Sequence, residues 1–308
     1  MNITSHPVSN VPLMLMWPVG LMLVVAHMEI PAVTLHVFIV LDAIYVGLVL
    51  ALLRRLDVGA NPTATAMAVS GPALFAMVGF TGPPTADEPG LMMYNTAALL
   101  VIALWLLIVA AVVVVKHRRL DSVVAVPGLM LLIVGTSIYV INLVARFAVV
   151  LSGATERQAS VEDTAWVAYE YLRGLDGAPD FVTYLLVWLD LLQLGYVAAV
   201  YVCFAGVARL LWTRGIVSPR VGRVVERSGY TLAGVIVVGV ALALALPQEL
   251  DLVPAWAAFA ASIPFMTTVL PTVLGVAMLS GHAGVSARGS HEGDLSDRLA
   301  SSTDRRTS

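Results

Sequence analysis

Apolar residues in this chain form long uninterrupted stretches, without the short alternation of exposed strands or the one-sided periodicity of soluble helices. A helix needs about 20 mostly apolar residues to cross a bilayer. The pattern therefore predicts an all-α integral membrane protein with eight transmembrane helices. The predicted spans are residues 11–29, 31–54, 64–82, 91–115, 123–151, 181–211, 229–247 and 255–279.

Helix-breaking residues decide the limits of two of these spans. The first two spans form one apolar block that is too long for a single crossing. The sequence MEIP at 28–31 divides it, with Pro31 at the first position of the second helix, where proline is tolerated. The third span contains SGPALFAMVGFTGPP, whose glycines and prolines make it the least regular of the eight.

The basic residues predict the orientation of the chain. Of the 17 Lys and Arg residues, all but Arg146, Arg157 and Arg173 follow the second, fourth or sixth span or lie in the C-terminal tail. Loops rich in Lys and Arg stay on the cytoplasmic side. We therefore expect a multi-pass protein of the cell membrane with both termini in the cytoplasm. Seven helices would put the tail on the opposite side from those loops.

Composition agrees with the membrane class and excludes several others. The chain has 308 residues, of which 59% are hydrophobic and 12% charged, and its mean hydropathy is +0.90. Soluble domains are about 45–50% apolar and about 25% charged. The sequence contains no basic patch of the kind that binds nucleic acid. The single cysteine, Cys203, cannot form an intrachain disulfide, and the single lysine, Lys116, lies in a loop where it could not hold retinal.

Three segments are predicted to lie outside the membrane. Residues 1–10 form a short cytoplasmic N-terminus, which lacks the positive charge and cleavage site of a signal peptide. Residues 280–308, rich in Ser, Gly, Asp and Arg, form a disordered cytoplasmic tail. The outer loop 152–180 carries a capping-box pattern at Ser160 and Asp163 and an apolar helix face. That loop predicts an interfacial helix, which packs passively or acts as a lid.

Two aspartates lie deep within predicted spans. Asp42 occurs in LDAIYVG and Asp190 in LDLLQLG, each about 14–16 Å from the outer end of its helix at 1.5 Å per residue. An ionised carboxylate at the membrane midplane costs roughly 2.5–3.5 kcal/mol on insertion scales. We therefore expect both carboxylates to be protonated, paired or turned toward a polar interior. Tyr45 and Gln193 follow the aspartates by three residues, on the same helix faces.

The two aspartate segments also suggest an internal repeat. LDAIYVGLV (41–49) matches LDLLQLGYV (189–197) at Leu, Asp, Gly and the final Val, and SGPAL (70–74) resembles SGYTL (228–232). Both aspartates fall in the second helix of a set of four. This pattern favours a parallel 4+4 repeat about an axis along the membrane normal, as in some transporters, although the fourth and eighth spans do not match.

The fifth and eighth spans add polar and irregular features. Gly135, Tyr139, Asn142 and Arg146 form a polar stripe at helical spacing. Arg146 either extends toward the outer headgroups or faces the bundle and pairs with a carboxylate. The sequence SIPFMTTVLPT (262–272) places two prolines seven residues apart, which predicts a kinked or discontinuous helix.

No cofactor is predicted. His27, Glu29 and His36 cluster at the turn between the first two spans and are weak metal candidates. The favoured interpretation is that the histidines lie at the interface and hydrogen-bond to headgroups and water. The motifs of zinc proteases, serine hydrolases and phosphate-binding loops do not occur in the sequence.

The sequence leaves three functions open. The first is a small transporter or an ion or proton conduit that uses Asp42 and Asp190, with Tyr45, Gln193, Asn142 and Arg146 nearby. The second is a non-catalytic anchor or subunit of a larger membrane complex, and the third is an intramembrane enzyme of unrecognised type. The expected partners are the lipid bilayer, a small solute or cation, and a membrane-protein partner, without nucleic acid.

Overall fold

The computed structural model describes residues 61–78, 89–117, 124–151, 181–245, 261 and 264–280, together with helical positions at 40, 43, 44, 47 and 51. Within these residues the protein is helical and has no strands. The helices are α1 (Pro62–Ala68), α2 (Ser70–Val78), α3 (Pro89–His117), α4 (Ala125–Leu151), α5 (Phe181–Thr213), α6 (Pro219–Ala245) and α7 (269–280), the last entered through a 3-10 turn at Pro264–Thr268.

Four of these helices, α3 to α6, are long and apolar enough to cross a membrane, and α5 is the most buried of them. Large apolar side chains on α3 and α4 remain exposed in stripes that include Ile108, Val115, Met130 and Val144. Exposed apolar surface of this extent is rare on soluble monomers. The helices are therefore compatible with a polytopic membrane protein, in which lipid would cover these stripes.

Close contact between α4 and α5 forms the centre of the bundle. A Cβ atom at Gly128 would lie 3.1 Å from Cα of Cys203, and one at Gly135 would lie 2.9 Å from Cβ of Ala199. Small residues at this spacing let two helix backbones approach, as is common in membrane helix pairs. The glycines of α4 therefore set the distance at which the polar residues of its second half meet α5.

The turn between α5 and α6 is a Schellman motif. The N–H of Gly215 donates to the Trp212 carbonyl and the N–H of Ile216 to the Leu211 carbonyl, both at 3.0 Å. Gly215 has φ 69°, a left-handed conformation that favours glycine. Ser218 and Pro219 then begin α6. Arg220, Arg223 and Arg227 thus lie in a helix, because α6 starts ten residues earlier than the predicted span 229–247.

Gly215→Ala should lower the free energy of unfolding by about 1–2 kcal/mol, because a Cβ atom is unfavourable in the left-handed region. The substitution meets no other obstacle, since no atom lies within 4 Å of the new Cβ. Denaturant unfolding in detergent micelles would measure the loss. Gly234→Ala, at an ordinary helical position with equal space around it, is the matched control and should cause no loss.

Within the described residues 62–78 the predicted span 64–82 is helical but distorted at Val69, whose N–H still donates to the Thr65 carbonyl and whose carbonyl accepts from Ala73. The chain forms α1 and α2, separated by a turn at Val69. Pro72 cannot donate the hydrogen bond that would extend the helix across this point. The Ser70 hydroxyl instead donates to the Met67 carbonyl at 2.7 Å, and the Gly71 N–H donates to the Thr272 hydroxyl oxygen at 3.1 Å.

The predicted interruption of the last span is present. Residues 264–268 form a 3-10 turn and 269–280 an α-helix, which ends one residue beyond the predicted span 255–279. Thr272 of α7 lies against the break between α1 and α2, where its hydroxyl is 3.3 Å from that of Ser70. The first turn of α7 therefore contacts the irregular point between α1 and α2.

Several predictions fall outside the described residues. These are the first span, the interfacial helix in 152–180, the terminal segments 1–10 and 281–308, and most of the second span. They stay predictions.

Candidate functional site

Asp190 lies on α5 in the interior of the bundle. Its side chain is only 3% exposed, and one of its carboxylate oxygens accepts a hydrogen bond from Nη2 of Arg146 on α4. The Arg146 side chain is 16% exposed, so the two charges form an ion pair that is largely withdrawn from the surface. Arg146 therefore faces the bundle and pairs with a carboxylate, and does not extend toward the outer headgroups.

Asn142 joins this ion pair to the backbone of α5. Its Oδ1 atom accepts a hydrogen bond from Nε of Arg146 at 3.0 Å, and its Nδ2 atom donates to the carbonyl of Leu189. A guanidinium only donates and a backbone carbonyl only accepts, so these partners determine the orientation of the amide. Asn142 is fully buried. It therefore holds the guanidinium beside Asp190 rather than letting it extend away.

A pair of stacked tyrosines lies next to this group. The rings of Tyr139 on α4 and Tyr196 on α5 are 4.1 Å apart between centroids and nearly parallel, at 3°. Both rings are buried. Two hydroxyl oxygens on α4, those of Thr136 and Tyr139, are buried without a hydrogen-bond partner among the described residues. Buried polar atoms are nearly always hydrogen-bonded, so these hydroxyls offer positions for a water or a polar ligand group.

Of the remaining predicted site residues, only Gln193 belongs to the described part of the chain. Gln193 is half-buried on α5, one turn after Asp190, and in the described residues it makes no hydrogen bond to the ion pair. Asp42 and Tyr45 lie outside the described residues, as do His27, Glu29 and His36. Within the described part of the chain, no group of three metal-binding side chains is present.

Sequence reasoning missed Tyr196 and the Ser70–Thr272 contact. Tyr196 belongs to the LDLLQLGYV segment, in which only Asp190 and Gln193 are predicted site residues. Ser70 and Gly71 enter the prediction only through the similarity of SGPAL to SGYTL. The available signal was that Pro72 leaves a gap in the hydrogen bonding of the helix and Pro271 does the same beside Thr272. Polar side chains next to such gaps commonly satisfy the freed backbone groups.

The chemistry of the site follows from its charges. The guanidinium of Arg146 compensates the charge of the buried Asp190 carboxylate. A proton or cation that binds Asp190 must therefore compete with Arg146 for the carboxylate oxygens. Comparisons with protein-family models, with curated proteins and with solved structures find no match to this chain.

Proposed function

We propose that this chain is a small polytopic transporter or an ion or proton conduit, in which the Arg146–Asp190 ion pair opens and closes. The observation that carries the proposal is the burial of Asp190, which is 3% exposed and paired with an arginine on a neighbouring helix. Ionisable side chains inside membrane helices are costly to insert, and they commonly mark ion or proton pathways.

The ion pair provides two states. While the guanidinium holds the carboxylate, α4 and α5 are joined through Arg146, Asn142 and Asp190. A proton on the carboxylate, or a cation at its oxygens, removes the attraction that holds Arg146. Arg146 is the more exposed member and is therefore the one that can move toward the surroundings. A ligand that binds one state better shifts the population toward it.

The interrupted helices support a protein that changes conformation. Thr272, in the first turn of α7 after the 3-10 turn, contacts the α1–α2 break through its hydroxyl, 3.3 Å from that of Ser70, and both residues are buried. Discontinuous helices near a buried polar site are typical of secondary transporters, where unwound backbone binds ions and absorbs rearrangement.

The proposal retains the finer predictions from the sequence. It uses eight spans, a parallel 4+4 repeat with Asp42 as the counterpart of Asp190, and both termini in the cytoplasm of a cell-membrane protein. With 33 residues, α5 is about 50 Å long, whereas the hydrocarbon core is about 30 Å thick. The depth of Asp190 therefore depends on the tilt of α5, and its midplane position stays a prediction.

Asp190→Asn should reduce proton flux to the background leak of empty liposomes, since the amide cannot take up a proton or pair with Arg146. The measurement is the internal pH of proteoliposomes under an imposed proton gradient, with a trapped pH-sensitive dye. The same flux measurement on Asp42→Asn tests Asp42, the predicted counterpart of Asp190. Glu226→Gln is the matched control, because this carboxylate hydrogen-bonds Trp212 at the far end of α5 and lies outside the pair. It should retain flux.

A second function is favoured by the internal hydrogen bonding of the same group. Arg146, Asn142 and Asp190 bond to one another and to the backbone, as a network that fixes helix packing would. A non-catalytic anchor or subunit of a membrane complex would need only this. Absence of flux in correctly folded native protein, together with co-purification of a stoichiometric partner, would favour the anchor and contradict the transporter.

A further inference from the structure

A cavity lies where α4 begins and α5 ends. We call this the basic end of the bundle, because Lys116, Arg209 and Arg214 and the first turns of α6 are found there. The cavity has a volume of about 180 Å³, and its lining includes Ala125, Gly206, Arg209, Thr213 and Arg214. It is more than 30 Å along α4 from Arg146, at about 1.5 Å per residue. The ion pair and this cavity are therefore separate features.

Arg214 places an unused hydrogen-bond donor at this cavity. Its Nη2 atom is buried and has no hydrogen-bond partner among the described residues. Burying a guanidinium nitrogen without an acceptor is costly, so such an atom normally has a partner. Arg214 is the last residue before Gly215 in the Schellman motif, which fixes the backbone from which its side chain extends. The turn after α5 therefore determines where Nη2 of Arg214 lies.

The start of α4 contributes further positive potential. The first N–H groups of a helix have no acceptor within the helix, and the dipole makes this end favourable for anions. In α4 these groups belong to Ala125 and Val126, while Pro127 has no N–H. Gly206 lets α5 approach this helix end, since a Cβ atom there would lie 3.1 Å from the Val124 carbonyl oxygen.

Positive charge is in excess among the described residues that line the cavity. The described lining residues include two arginines and no carboxylate. Arg209 is about half-exposed and lies 3.4 Å from Glu226, so its charge is only partly compensated. His117 at the end of α3 is close enough to Arg214 for their charges to interact. The Thr213 hydroxyl already donates to the Arg209 carbonyl at 2.8 Å, so the donors left for an oxyanion are the guanidinium groups and the N-terminus of α4.

We propose that this cavity binds a phosphate group. A water molecule occupies about 30 Å³ in the liquid, so the cavity has room for about six waters, which is enough for a phosphate with part of its ester. Arginine pairs with phosphate through two parallel hydrogen bonds, which would satisfy Nη2 of Arg214. The phosphate belongs either to the headgroup of an anionic lipid or to a soluble molecule, because basic pockets at helix ends accept both. The proposal does not depend on transport.

The test measures thermal unfolding of the full-length protein in neutral detergent. The probes are phosphatidic acid, inorganic phosphate, and phosphatidylcholine with sodium chloride at matched ionic strength. We expect phosphatidic acid or phosphate to raise the unfolding midpoint of the native protein, and Arg214→Gln to weaken that binding about tenfold or more. Arg209→Gln is a second variant that alters the same lining at a more exposed side chain.

Arg220→Gln is the matched control, since it removes one exposed arginine from the same end of the bundle but not from the cavity lining. It should leave binding unchanged. Stabilisation by phosphatidic acid alone would identify a lipid headgroup, and stabilisation by inorganic phosphate as well would identify a site for soluble phosphates. The proposal is overturned if neither probe stabilises the native protein, or if Arg220→Gln and the two cavity variants weaken binding equally.

Discussion

Replacement of Arg146 by Met should lower the free energy of unfolding by about 3–5 kcal/mol, which is the usual cost of removing one member of a buried ion pair. Met keeps much of the length of the side chain but removes the charge that compensates Asp190, a carboxylate 3% exposed. The substitution also removes the N–H group that donates a hydrogen bond to Oδ1 of Asn142. Denaturant unfolding in detergent micelles, followed by the helical signal, would measure the change.

The matched control for this substitution is Arg209→Met on α5. The Arg209 side chain is 53% exposed and its nitrogen lies 3.4 Å from Glu226. Exposed ion pairs contribute about 0–1 kcal/mol, so this variant should be nearly as stable as the native protein. Equal losses in the two variants would contradict a special contribution from the buried pair.

The double variant Arg146→Met with Asp190→Leu separates a structural role from a functional one. Replacing both charges of a buried pair by apolar groups is often neutral or stabilising. We therefore expect most of the stability lost in Arg146→Met to return. If the proposed transport is correct, flux should stay at background although the protein is folded. Recovery of both stability and flux would assign the pair to packing alone.

Gly275→Ala should lower the free energy of unfolding by about 3 kcal/mol, at the upper end of the cost of overpacking. A Cβ atom at position 275 of α7 would lie 2.5 Å from the carbonyl oxygen of Ala64 and 2.8 Å from Cα of Ala68. These are backbone atoms of α1, so they cannot turn aside as a flexible side chain would. The two helices would have to separate, and the Ser70–Thr272 contact beside them would be disturbed.

The control for Gly275→Ala is the same substitution in open space. Gly195→Ala on α5 introduces a Cβ atom with nothing within 4 Å. Alanine is favoured over glycine in a helix by about 1 kcal/mol, so Gly195→Ala should be neutral or stabilising. Thermal unfolding of both variants in the same detergent would give the comparison. Equal unfolding midpoints for the two variants would contradict the close approach of α7 to α1.

The long apolar stretches located four of the helices, which are compatible with a polytopic membrane protein. A helix that satisfies its own backbone hydrogen bonds and has apolar side chains on all sides is stable in lipid without specific partners. The predicted spans 91–115, 123–151 and 181–211 therefore correspond closely to α3, α4 and α5. The limits of α6 were less predictable, because its first turns are amphipathic and basic and resemble a loop in composition.

The tertiary structure decided which polar groups meet. The spacing of Tyr139, Asn142 and Arg146 showed that they share a face of α4, but a single helix does not indicate which neighbour that face contacts. The packing of α4 on α5 through Gly128 and Gly135 brings this face to Asp190. The contact between Ser70 and Thr272, about 200 residues apart in sequence, likewise depends on helix packing. Local sequence specifies each helix and its polar face, whereas long-range contacts between close-packed backbones determine which charges are paired.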